Sequence, residues 1–168
     1  MKTTKHLLLI FLSLISSYVL AQDPPQRPSD IKVEEYDSFK NNAFDLLNET
    51  TKLKDNLNTV DKDVKNYAGV IKTIEKGTLF KDLKALKTIK ESGEGVSKKI
   101  AAIDDKSKDL LANAKKAGLK APAATKNTKT SVTALDTAKG HLGSIKDLVA
   151  SDVKLIQDEL KSRGEPIE

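Results

Sequence analysis

From Tyr36 to Ile74, apolar side chains recur at alternating steps of three and four residues. The positions are Phe39, Ala43, Leu46, Leu53, Leu57, Val60, Val64, Tyr67 and Ile71 between those ends, with Thr50 the single polar member. Such steps return to one side of an α-helix, at the coiled-coil average of about 3.5 residues. A helix this long has one wet face and one apolar face, and the apolar face must be covered by other parts of the chain or by a partner.

Two more stripes offer that cover. The second is Leu79, Leu83, Leu86, Lys90, Gly93, Val96, Ile100, Ile103, Ser107, Leu110, Ala114 and Ala117; the third runs through Val132, Leu135, Ala138, Leu142, Ile145, Val149, Val153, Ile156 and Leu160. Predicted helices cover 30–74, 78–117 and 122–161. Ser29 or Asp30 is placed to cap the first, Gly77 to end it, and Thr78 to cap the second. Gly69 interrupts the first stripe without shifting its phase, so a continuous or slightly bent helix is expected there. Gly118 ends the second helix and Pro122 suits the first turn of the third. The fold class is all-α: an elongated antiparallel bundle of three long helices, or four if the segment around Gly93-Gly95 breaks. β-branched residues occur singly at helical spacing, with no strand pattern.

The flanks read differently. Residues 1–21 resemble a signal peptide, with Lys2 and Lys5, an apolar run from Leu7, and Val19-Leu20-Ala21 before a cleavage point. The run is short of the roughly 20 residues that span a bilayer; the alternative is an uncleaved anchor. Residues 22–29 form a Pro-rich linker, 30–163 one helical-bundle domain, and 164–168 a frayed tail. No second apolar run follows, so no integral membrane segment is expected after cleavage. Loss of Lys2 and Lys5 takes the net charge from +5 to +3. The expected localisation is secreted, extracellular or cell-wall associated.

The absence of cysteine removes disulfides, thiolate metal sites and a Cys nucleophile. The only His beyond the leader is His141; Asp136 and Asp147 sit at spacings that share its helical face poorly, so a solvent-facing or interface role is read. Asp61-Lys62-Asp63 opens like a calcium loop, but Asn66 stands where Gly is needed and Lys72 where Glu is needed. Asp104, Asp105 and Asp109 read as solvated charges of a helix face, with a weak divalent-ion site as the alternative. Gly93-Glu94-Gly95 lacks the phosphate-loop pattern. No catalytic residue, cofactor or metal is assigned, and the chain is read as not an enzyme.

The basic excess is nearly all Lys and alternates in sign with Asp and Glu, unlike a nucleic-acid interface, so no nucleic acid is expected as partner. A denser group, Lys115, Lys116, Lys120, Lys126 and Lys129, surrounds Gly118. It reads as a solvated turn, or as a contact for anionic lipid or acidic polysaccharide. Asn48-Glu49-Thr50 is an N-glycosylation sequon, with Asn48 as the modifiable residue if the secretory route is eukaryotic.

Several segments carry a family likeness. They are Leu53, Leu57, Val60, Asp63-Val64 and Asn66-Tyr67-Ala68-Gly69, then Lys108-Asp109-Leu110-Leu111, Lys116-Ala117-Gly118, Lys129-Thr130, Leu135 and Leu148. Over about Leu46 to Leu160 the chain resembles the hydrophobic surface-binding protein A family of fungal secreted and cell-wall proteins. It departs in having Ala68-Gly69 where paired glycines are common, and in being more basic. The resemblance implies a non-enzymatic protein that adsorbs to hydrophobic or cell-wall surfaces and recruits other secreted proteins, and it carries over no site residues. The alternative is a coiled-coil interaction module, self-association included, or a bacterial periplasmic or surface helical protein.

Overall fold

The carboxylate of Asp37 organises the start of the first helix. It accepts hydrogen bonds from the backbone N–H groups of Ile31, Lys32 and Val33 at 2.9, 2.8 and 3.3 Å. An acid reaching back in this way satisfies the backbone donors of the N-cap, Val33, and of the two residues leading into it. The computed structural model describes residues 24–166, so the expected leader, 1–21, lies outside the described residues. Helix α1 is Glu34–Asn66, α2 is Lys76–Asp104, α3 is Lys106–Asn113 and α4 is Ala121–Ser162. Short 3-10 turns at Ile71–Thr73 and Ala114–Lys120 complete the order. The protein is all-helical, with no strand among the described residues.

Several boundaries differ from the sequence expectation, each for a local reason. Neither Ser29 nor Asp30 caps α1: Asp30 pairs with Lys40, and the Ser29 carbonyl accepts from Asn127 at 3.0 Å. Helix α1 stops at Asn66 rather than Ile74 because Gly69 takes φ +79°, a left-handed conformation that costs glycine little. Gly77 does not terminate anything; it lies in the first turn of α2. Gly93 and Gly95 do not break α2. Gly93 is buried against α4, where a Cβ would stand 3.6 Å from Leu142 Cδ2, and this packing outweighs glycine's poor propensity. The division falls instead at Asp105, whose backbone stays right-handed (φ −64°, ψ −27°), so α2 and α3 read as one bent rod.

Cross-links fix the directions. Asn127 to Ser29, Thr50 to His141, and Arg163 to Ile71 and Ile74 advance together along α1 and α4, so those helices run parallel. Lys99 to Glu49 and Tyr67 to Asp82 advance oppositely, so α2 is antiparallel to α1. At 1.5 Å per residue the 42 residues of α4 extend about 63 Å. Helix α4 ends in a Schellman closure at Gly164 (φ +74°): Glu165 N–H reaches the Leu160 carbonyl and Gly164 N–H the Lys161 carbonyl, both at 3.0 Å.

The stripes meet in two apolar clusters along the bundle. An upper cluster gathers Tyr36, Phe39 and Phe44 of α1, Val96 and Ile100 of α2, and Ala134, Leu135 and Ala138 of α4. A lower one gathers Leu57, Val64, Leu79, Leu83, Leu86, Ile145, Val149, Ile156 and Leu160. Residues 24–29 lie against the upper end of the bundle: Arg27 pairs with Asp45, its guanidinium lying 5.8 Å from the Phe44 ring centre.

Candidate functional site, an apolar groove between two helices

Small residues open a seam between α2 and α4. On α2 the seam is edged by Gly93 and Ser97, and on α4 by Gly143 and Ala150. With so little side chain at these four positions, the helices leave a groove of about 650 Å³. Its apolar floor is the buried Ile145 and Val149 with the half-buried Leu142 and Val153 packed beside them. Ile145 and Val149 are otherwise buried in the lower cluster, so the groove is where that cluster is approached from outside.

The rim is charged. Lys90 and Glu94 stand on α2, Lys139 and Lys146 on α4. Lys139 bonds Asp104 at 2.8 Å and Asp136 at 3.3 Å, and the Asp104 hydrogen bond raises its pKa above the ordinary value. Lys90 and Lys146 have no carboxylate partner among the described residues and stay exposed. An apolar floor with cationic edges can take up apolar matter, including matter carrying negative charge at its border.

Ionisable groups are also buried away from the groove. Asp61 of α1 and Asp152 of α4 are 7% and 6% exposed, and Asp61 Oδ1 and Asp152 Oδ2 lack any hydrogen-bond partner. Burial raises the Asp152 pKa, the Asp61 charge raises it further, and Lys65 opposes both. Lys65 bonds the other Asp61 oxygen at 2.7 Å. The Tyr67 hydroxyl donates to Asp82, and burial followed by that bond pushes its pKa up. Lys40 is 1% exposed and is held by Asp30, with Asp37 at 3.7 Å.

The sequence-selected residues are dispersed. His141 is half-buried with Nδ1 3.4 Å from the Thr50 hydroxyl; burial, then the Lys54 charge, lowers its pKa against the pull of Asp55. Neither Asp136 nor Asp147 bonds it, Asp136 being held by Lys139. Asp61 and Asp63 lie on continuous helix rather than a loop. Asp104 is taken by Lys139, while Asp105 stands 4.0 Å from Lys108. No group of three His, Cys, Asp or Glu residues spaced to hold a metal ion occurs among the described residues. Asn48 is exposed on α1.

The groove was missed in the sequence because it is made by missing side chains on helices far apart in the chain. The available signal was small residues facing each other, Gly93 and Ser97 against Gly143 and Ala150. No described helix is long and apolar enough to cross a membrane. No family model matches the chain, and no curated protein or solved structure proved similar to it.

Proposed function

We propose that the chain is an exported, non-enzymatic protein that adsorbs to hydrophobic or cell-wall surfaces and presents itself there to other secreted proteins. On this reading the three long helices work as one elongated antiparallel bundle whose α2–α4 seam is its weakest wall. The observation that carries the proposal is the groove, where Leu142, Ile145, Val149 and Val153 line a seam edged by Gly93, Ser97, Gly143 and Ala150 and rimmed by charged side chains. An apolar surface pressed against that seam replaces water at the groove floor, at about 25 cal/mol per Å² of apolar area removed from water. Separation of α2 from α4 then exchanges helix-on-helix burial for helix-on-surface burial with little net cost. The lysines of the rim keep the opened helices wetted on their outer faces.

The test is the surface pressure developed by residues 22–168 at an oil–water interface, with circular dichroism before and after. Adsorption well above that of an equally sized globular control, with helix retained, is the expected result. Adsorption equal to the control removes the proposal. A concentration-dependent dimer in sedimentation that shields the groove would favour the interaction-module reading instead.

A further inference from the structure

A second surface is separate from the groove, about 30 Å away along α4 at 1.5 Å per residue. Between Asp109 and Asp136 the chain has no acidic residue, while Lys115, Lys116, Lys120, Lys126 and Lys129 fall in that interval. All five lysines are exposed, and none is in an ion pair among the described residues. At their centre Leu119 is 103% exposed, one of three large apolar side chains left open among the described residues. The backbone holds it there: Gly118 takes φ 59° and ψ −127° inside the 3-10 turn, and α4 begins two residues after Leu119.

We propose that this turn docks on an anionic lipid bilayer, with Leu119 entering the acyl boundary and the lysines meeting the headgroups. Two observations together select this partner. The lysines give charge complementarity to any polyanion, but Leu119 gains nothing from a polyanion that lacks an apolar layer. A bilayer offers both in the right order, charge outside and hydrocarbon beneath. The lysine heads are point charges suited to a fluid headgroup layer, and neither Arg27 nor Arg163, the chain's two arginines, lies in this turn. Glu34 and Glu35 open α1 at the same end, which the bond from the Tyr36 hydroxyl to the Leu110 carbonyl (3.1 Å) brings beside the turn. Their repulsion by the membrane tilts the bundle so that the α4 side makes contact.

The test is cosedimentation of residues 22–168 with phosphatidylcholine vesicles, with and without phosphatidylglycerol. Binding is expected only with phosphatidylglycerol, and it should fall steeply with salt. Each lysine near an anionic surface contributes about fivefold in affinity, so the triple variant K115Q/K116Q/K120Q should bind about a hundredfold more weakly. L119S should bind roughly tenfold more weakly with an unchanged salt slope, since only apolar burial is lost. A control triple far from the turn, K62Q/K72Q/K161Q, removes the same charge and should change binding less than about fivefold, within the weight of one lysine. All these side chains are exposed, and circular dichroism checks that each variant keeps its helix. No binding to phosphatidylglycerol vesicles overturns the proposal, as does an equal loss in the control triple. Unaltered binding by L119S, or tighter binding to an acidic polysaccharide than to vesicles, overturns it in favour of a polyanion contact. Adsorption at an oil–water interface does not depend on these lysines, so the two proposals fail separately.

Discussion

The two halves of the bundle bury apolar stripes of the same period and hold them in different ways. The upper half has three aromatic rings, Tyr36, Phe39 and Phe44, and is tied by polar tethers. Tyr36 reaches the Leu110 carbonyl, Asn127 reaches Ser29, and Lys40 holds Asp30. The lower half is mainly aliphatic, has the groove along its α2–α4 wall, and encloses the unpartnered oxygens of Asp61 and Asp152. Its tethers sit at the far end, where Arg163 bonds the Ile74 and Ile71 carbonyls at 2.8 and 2.5 Å. Helical periodicity therefore sets which faces are buried, while aromatic volume and cross-helix bonds set how firmly. If the bundle opens on a surface as proposed, its lower middle is where the opening should begin.

The largest expected effect tests the upper half. Phe39→Ala should cost about 3–5 kcal/mol, because a buried ring is lost and the tethered helices collapse poorly around the void. Leu83→Ala in the lower half should cost nearer 2 kcal/mol, at the low end for such a truncation, because the looser wall relaxes. Urea denaturation midpoints compare them. Equal losses would erase the distinction between the halves.

The next effect probes the buried carboxylates. The Asp152 pKa is raised in the fold, by burial first and by Asp61 second, so its ionised form destabilises the folded state. That penalty is fully present above the raised folded value. It shrinks as pH falls through that value and is gone below the unfolded value of about 3.9. Asp152→Asn should therefore stabilise at pH 7 by about 1 kcal/mol, the low end for a buried polar group without a partner, with the gain vanishing on acidification. Thermal unfolding of both proteins across pH measures this. A gain that persists in acid would mean that charge is not the cause.

These contrasts show which parts of the molecule were legible in sequence. The apolar members of the first stripe from Tyr36 to Tyr67 are buried or half-buried, because period alone decides which face turns inward. The end of α1 was illegible because Tyr67, Ile71 and Ile74 keep the phase across Gly69, and phase does not report a positive φ. The segment Gly93-Gly95 offered a break that the helix does not make, because propensity is local while the packing of Gly93 against Leu142 is not. Burial of Lys40, Asp61 and Asp152 depends on partners or neighbours brought close by folding, as in Lys40 with Asp30, or Asp61 with Asp152. Patterning would have assigned all three to the wet face. The lysine group around Gly118 was visible, but the full exposure of Leu119 within it was not.

The smallest effect bears most directly on the proposed opening. In Gly93→Ala the new methyl would sit 3.6 Å from Leu142 Cδ2 and 4.0 Å from Ile145 Cγ2, ordinary contacts that need no rearrangement. Helix propensity favours alanine over glycine by about 1 kcal/mol, and the methyl adds apolar contact at the seam. The variant should therefore be more stable by roughly 0.5–1 kcal/mol in urea and should adsorb more slowly at an oil–water interface. Gly95→Ala supplies the control: it lies on the exposed side of the same helix, with nothing within 4 Å of its added Cβ. It should raise stability by a similar amount through propensity alone and leave the seam unchanged. If surface adsorption begins at the α2–α4 seam, the two variants match in stability and differ in adsorption rate. Identical slowing of both would tie adsorption to global unfolding and remove the groove from the mechanism.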